Sequence, residues 1–224
     1  MYKVKICGIT NRGDLELVAQ LGADYGGALI DLEYSPRSHS LESAVSIFEH
    51  PPLPLVTLTF NKNVEENKRV VDALHPVALQ LHGEEPPEVV KELKQRCDCE
   101  IWKVIHLPFS EKGEPVDTAP IVEHIEDYIR AGTNTFLFDA AGMVKGQMKF
   151  GGTGMTVNWE IVRSLKDIID RPVLLAGGIK PDNVVEALRA VKPYGVDLSS
   201  GVERTTGKKN PELVKQLIEN VRQG

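Results

Sequence analysis

Between residues 172 and 201 the chain reads Pro172-Val173-Leu174-Leu175-Ala176-Gly177-Gly178, then Pro181-Asp182-Asn183-Val184-Val185-Glu186-Ala187-Leu188, then Gly195-Val196-Asp197-Leu198-Ser199-Ser200-Gly201. The first run is short and apolar throughout, as in a strand buried on both faces. A Gly-Gly turn follows. Pro181 then opens a helical stretch whose Val184, Val185 and Leu188 share one face. The run at 195–198 ends in a second Gly/Ser turn. Strand, helix, strand in this spacing is a βαβ unit, which demands parallel pairing.

The same unit recurs along the whole sequence. Strand-like runs fall at 4–7, 25–30, 55–60, 77–81, 101–105, 136–139, 172–176 and 195–198. An amphipathic stretch follows each of them. Leu15, Val18 and Leu21 mark the first, Ala44, Val45 and Phe48 the second, Val70, Val71 and Leu74 the third. Pro87 opens the fourth and Pro211 the last. Eight units in 224 residues average about 28 residues each, enough for the crossovers. Eight parallel strands close most economically into a (β/α)8 TIM barrel, which leaves no edge. An open doubly wound sheet is less favoured, because no Gly-x-Gly-x-x-Gly follows the first strand. No linker interrupts the pattern, so a single α/β barrel domain over 1–224 is expected.

Composition narrows the function. Net charge is −6, from 26 Lys+Arg against 32 Asp+Glu, with no long basic run. That gives no electrostatic footprint for nucleic acid. No apolar run approaches the ~20 residues of a membrane helix, and the first residues lead into a strand with no signal-peptide stretch. A cytoplasmic protein that meets no membrane is expected. Three cysteines are an odd number, so a disulfide framework is not expected. Cys97-x-Cys99 lacks a second Cys/His pair for zinc.

In a TIM barrel the C-terminal ends of the strands face the active site. Strand one ends in Cys7-Gly8, where a thiol can serve as base or nucleophile, or be a small buried residue. Strand six ends in Phe138-Asp139, a carboxyl that is costly to bury unless it is functional or hydrogen-bonded. Cys7 and Asp139 facing each other would suit an isomerisation needing one acid and one base. Gly177 and Gly178, with Ser199, Ser200 and Gly201, stand after adjacent strands, where backbone N–H groups can hold a phosphate. Two tight turns would explain either motif singly. Gln80 and His82 share one face by the period of two, and Asp197 ends the last strand as a further substrate-binding candidate. Arg37, in the long second loop, suits a bidentate grip on a carboxylate, or is simply a solvated loop side chain. The segment 140–157, with its run Gly151-Gly152-Thr153-Gly154, is a candidate lid.

Six segments in order carry a family resemblance. They are Lys5-Ile6-Cys7-Gly8-Ile9-Thr10, Gln80-Leu81-His82-Gly83, Leu137-Phe138-Asp139-Ala140, Gly151-Gly152-Thr153-Gly154, Leu175-Ala176-Gly177-Gly178-Ile179 and Gly195–Glu203. Together the chain resembles phosphoribosylanthranilate isomerase of tryptophan biosynthesis. The resemblance implies an Amadori rearrangement of N-(5′-phosphoribosyl)anthranilate with no metal and no cofactor. It implies Asp139 as general acid on the ring oxygen and Cys7, as thiolate, as the base at C2′. It implies Arg37 as the clamp on the anthranilate carboxylate, and the glycines and serines after strands seven and eight as the phosphate site. A monomer or a homodimer fits equally. The second loop departs from the family pattern, with Asp31 and Glu33 near the expected carboxylate pocket. That keeps two alternatives in view: the same isomerisation on another phosphorylated aminosugar, or a sugar-phosphate-binding barrel without turnover. A Schiff-base enzyme is disfavoured, because Lys103 lies inside strand five rather than at its end.

Overall fold

Apolar runs and amphipathic stretches become strands and helices in the expected alternation. The structure, a computed structural model, describes residues 1–108, 116–144, 147–150 and 158–224. The first half contains β1 (Lys3–Ile6), α1 (Arg12–Gln20), β2 (Tyr25–Ile30), β3 (Ser38–His39), α2 (Leu41–Phe48), β4 (Leu55–Thr59), α3 (Val64–Leu74), β5 (Ala78–Leu81) and α4 (Pro87–Arg96). The second contains β6 (Glu100–Pro108), α5 (Ala119–Ala131), β7 (Thr135–Val144), β8 (Gln147–Phe150), α6 (Trp159–Lys166) and β9 (Val173–Leu175). It ends with α7 (Val184–Val191), β10 (Gly195–Leu198), a 3-10 turn at Ser200–Val202, β11 (Glu203–Thr205), β12 (Lys208–Lys209) and α8 (Pro211–Gln223).

Eight strands close a ring in the order β1, β2, β4, β5, β6, β7, β9, β10 and back to β1. Every neighbouring pair in it is parallel. The closure joins Lys5 to Tyr25 on one side of β1 and to Asp197 on the other. Side chains on the outer strand faces pack with the buried helix faces into one large core, including Ile6, Leu79, Phe136, Leu188 and Leu217. Burying each such side chain contributes about 1.5–3 kcal/mol relative to exposure. Inside the ring, Val56, Ala78, Trp102, Val104, Leu137 and Leu174 form a separate apolar plug. Tyr25 meets Trp102 edge to face there, at 5.3 Å between ring centroids. The plug lies beneath the polar side chains at the strand ends, with His106 following Val104 and Asp139 following Leu137 on the inward face.

Several boundaries differ from the sequence expectation. β6 and β7 run on to Pro108 and Val144, beyond the expected ends at 105 and 139. Pro181 does not open α7, which begins at Val184. Asn183 bonds back instead, accepting from Lys180 N at 2.8 Å and donating to Gly178 O at 2.9 Å, so 180–183 is a turn. Three small additions were not expected. β3 pairs with β2 and anchors the second loop, β8 pairs antiparallel with the extension of β7 within the segment read as a loop, and the hairpin β11–β12 follows the last barrel strand. Of the candidate lid, Lys145 and the glycine run 151–154 lie outside the described residues. Among the described residues no helix is long and apolar enough to cross a membrane.

Candidate active site

Because strand side chains alternate, each barrel strand sends every second residue inward. β1 sends Lys5, with Cys7 next above it, and β5 sends Gln80, with His82 above. β6 sends Trp102, Val104 and His106, β7 sends Leu137 and Asp139, and β10 sends Asp197, with Ser199 above. Above the apolar plug comes a polar layer. Lys5 Nζ donates to Asp197 Oδ2 at 2.9 Å, and both side chains are buried. Two ions this deep cost several kcal/mol in lost hydration. Burial works against the Lys5 ammonium, but Asp197 and Cys7 outweigh it and hold its pKa above the ordinary lysine value. Gln80 is in the same layer, and its Oε1 and Asp197 Oδ1 have no hydrogen-bond partner among the described residues.

Cys7 stands directly above Lys5. Its backbone is tied to β10 by Cys7 N donating to Leu198 O at 2.8 Å, and Lys209 Nζ donates to Cys7 O at 2.7 Å. Burial pushes the thiol pKa up, and Lys5 and Lys209 pull it back only in part. Gly8 turns the chain at φ +68°, and a Cβ there would fall 2.5 Å from Ser199 Oγ and 2.6 Å from Arg37 Cδ. Only glycine lets these loops meet.

Arg37 arrives from the second loop, which is held in place by several bonds. Asp31 N donates to His39 O, Leu32 N donates to Ser38 Oγ, and His39 Nε2 sits 2.9 Å from Ile9 O. The Arg37 guanidinium makes a two-pronged contact with Glu203, at 2.8 and 2.7 Å. Lys209 Nζ reaches the same carboxylate at 3.0 Å. Burial would raise the Glu203 pKa, but the hydrogen bond from Arg37 and the charge of Lys209 bring it down to about 2. The Lys209 ammonium itself is pushed below the ordinary lysine value by burial, against the attraction of Glu203. Asp31 lies 3.4 Å from Lys62, and Glu33 is exposed. The negative charge anticipated in this loop is therefore half neutralised.

The other side of the mouth gathers His82, His106 and Asp139, with one potential ligand atom from each lying within 4.8 Å of the others. The two imidazoles meet edge to face at 4.8 Å. His106 Nε2 lies 2.8 Å from His82 O, an acceptor, so this nitrogen carries the hydrogen. Burial lowers the His106 pKa, which leaves the ring neutral at pH 7. The backbone under His82 is braced from behind. Glu85 accepts from Asn61 N at 2.8 Å and Gly83 N at 3.2 Å, and pairs with Lys103 at 3.1 Å. Lys103 also donates to Gly83 O, and Tyr128 to Glu85 O. Lys103 is buried in this brace, on the outer side of β6.

The phosphate candidates occupy adjacent loops after β9 and β10. Gly177 and Gly178 both take positive φ, at 76° and 68°. Ser199 Oγ is 3.4 Å from Glu203 Oε1, and Ser200 is exposed at the start of the 3-10 turn. Cys7, Ser199 and Arg37 thus converge on one side of the mouth, with His82 just after β5 and Asp139 on β7. Asp197 lies one layer lower, engaged by Lys5. Sequence reasoning passed over four residues: Lys5, Glu203, Lys209 and His106. His106 had a usable signal, because Trp102, Val104 and His106 share one face once β6 is allowed to continue.

The chain matches the model of the family described as N-(5'phosphoribosyl)anthranilate (PRA) isomerase over residues 4–220. It is 38% identical over 226 residues to N-(5'-phosphoribosyl)anthranilate isomerase of Methanocella arvoryzae, covering 99% of each chain. Among solved structures it superposes on monomers generated from the dimeric phosphoribosylanthranilate isomerase of Thermotoga maritima with TM-score 0.82 and 30% identity, covering 100% of both chains. A complex of phosphoribosyl anthranilate isomerase with reduced 1-(o-carboxyphenylamino)-1-deoxyribulose 5-phosphate is similar at TM-score 0.79 and 30% identity, covering 100% of both chains.

Proposed function

The chain belongs to the N-(5'-phosphoribosyl)anthranilate isomerase family, and from that we propose that it converts N-(5′-phosphoribosyl)anthranilate to 1-(2-carboxyphenylamino)-1-deoxyribulose 5-phosphate in tryptophan biosynthesis. The observation that carries the reading is the pair Cys7 and Asp139, one from each side of the mouth above the barrel plug. In this reading Asp139 protonates the ribose ring oxygen while the anilino nitrogen lone pair opens the ring to a Schiff base. The Cys7 thiolate then takes the C2′ proton and the electrons shift to give an enolamine; return of that proton to C1′ and loss of the C2′ enol O–H proton to the Asp139 carboxylate leave the ketone at C2′ and restore both groups. Nothing is oxidised or reduced overall, so acid and base suffice without cofactor.

Lys5 and Lys209 favour the thiolate form of the base. The anthranilate carboxylate would take Arg37 from Glu203, exchanging one bidentate partner for another. The backbone at Gly177, Gly178 and Ser199–Gly201 would hold the phosphate, with Gln80 and His82 on the sugar. Asp197 would act through Lys5 rather than on the substrate. The ion pair of Asp31 with Lys62 weakens the case for a different aminosugar. We assign the reaction to the cytoplasm and to one barrel domain over 1–224, as a monomer or a homodimer.

The test is a coupled fluorescence assay. Anthranilate, phosphoribosyl pyrophosphate and the upstream transferase generate the unstable substrate in place, and its loss is followed beside product formation. The histidine-pathway aminoaldose phosphate serves as the comparison substrate. Turnover of phosphoribosylanthranilate is expected. A folded, phosphate-binding protein that isomerises only the other aminosugar would overturn the substrate, and one that isomerises neither would overturn the activity.

A further inference from the structure

We propose that His82, His106 and Asp139 bind one divalent transition-metal ion of the zinc type, and that the ion inhibits the protein by occupying Asp139. The inhibition rests on the isomerase reading, whereas the binding does not.

The donors come from three consecutive strands of the ring. His106 and Asp139 are direct partners in the β6–β7 register, and His82 follows the last residue of β5. Rigid backbone therefore sets their spacing. For ligand atoms no more than 4.8 Å apart, a common centre lies within about 2.8 Å of each, against zinc bonds of about 2.0–2.2 Å. Closing on an ion takes less than about 1 Å of movement per donor, well within side-chain reach.

The tautomer is suitable. The carbonyl of His82 accepts from His106 Nε2, which leaves Nδ1 of that ring as the lone-pair nitrogen. Metal-bound histidines are held in the same way, by a hydrogen bond from the other ring nitrogen. Two imidazoles and one carboxylate select zinc, cobalt or nickel over magnesium and calcium, which prefer all-oxygen shells. His82 and Asp139 are largely buried and His106 partly so, which leaves the mouth as the direction for a fourth ligand. Three protein ligands with an open position make a stable site for a zinc-type ion. An ion there holds the Asp139 carboxylate ionised, and it can no longer deliver a proton.

The test uses the full chain with Cys97→Ser and Cys99→Ser, which removes the partly buried thiol pair from competition. Zn2+ is titrated by calorimetry, and Co2+ by its visible d–d bands. The expected result is one ion per chain, with no thiolate charge-transfer band, and affinity weakened more than about 10-fold in His106→Gln and in His82→Gln. Circular dichroism checks that each variant is folded. If neither folds, broadening of the His82 and His106 ring signals by Co2+ in the unsubstituted protein decides. Turnover should fall with Zn2+, return with EDTA, and fall less in His106→Gln. No stoichiometric binding, unchanged affinity in folded histidine variants, or a thiolate band from Cys7 would each overturn the site. Binding with no turnover in the metal-free protein would instead count against the isomerase reading alone.

Discussion

The two sides of the barrel mouth follow different electrostatic plans. On the side of β1 and β10, cations are matched to anions: the buried Lys5 to Asp197, and the half-buried Arg37 and buried Lys209 to Glu203. On the side of β5, β6 and β7, two imidazoles crowd one carboxyl group. The difference fits the two roles proposed for Cys7 and Asp139. A buried thiol ionises only if positive charge offsets its desolvation, and that charge must itself be held by anions. A carboxyl that is to give up a proton gains nothing from a nearby ammonium, which would hold it ionised. Burial lowers the His106 pKa, so that ring adds no positive charge beside Asp139 at pH 7.

The largest test of this division removes either group. Asp139→Asn and Cys7→Ala should each lower kcat by about 10²–10⁴, with little change in affinity for the phosphorylated product. A variant at either position with near-normal turnover breaks the comparison.

Next in size is the pairing on the cationic side. Glu203→Gln leaves Arg37 and the buried Lys209 without their anion, and should cost about 3–5 kcal/mol of stability, read from urea unfolding. The same carboxylate links stability to acid. Its folded pKa of about 2 is below the ordinary 4.5, so the stabilisation is present above that ordinary value and is lost as pH falls towards 2. Urea midpoints of wild type and Glu203→Gln should therefore converge between these pH values.

Lys5→Met sharpens the comparison further. The raised thiol must lose its proton to act as base, so kcat/KM should rise with pH through a value above the ordinary cysteine range. Removing Lys5 takes away a cation that lowers that value, so the rising limb should move to still higher pH. A limb that stays put would mean that Lys5 serves folding alone. The smallest effect is expected at the exposed pair Arg12–Glu16 on α1. Glu16→Gln should change stability by no more than about 0.5 kcal/mol.

The sequence reveals the ring more fully than the site. The runs at 25–30 and 195–198 coincide with β2 and β10, because buried parallel strands advertise themselves as unbroken apolar runs. β3, β11 and β12 are two or three residues long, too short for any period to show. Cys7, Asp139 and the glycine turns could be read from strand ends, since a barrel turns those ends to one face. The ion pairs could not. Lys5 and Asp197 are 192 residues apart, and Arg37 and Glu203 are 166 apart. Only the closure of β1 on β10 and the anchoring of the second loop by β3 bring them together. His106 is hidden for another reason: β6 continues past the apolar run, and His106-Leu107-Pro108 at its upper end reads as the start of a loop.

The central claim is that the Cys7 thiolate is the base. In a protein whose only cysteine is Cys7, after Cys97→Ser and Cys99→Ser, the rate of alkylation of Cys7 and kcat/KM for phosphoribosylanthranilate are measured across the same pH range. Both should trace one ionisation, displaced above the ordinary cysteine value, and turnover should vanish in step with alkylation. A kcat/KM that stays flat through the ionisation of Cys7, or an alkylated protein that still turns over, would contradict the account.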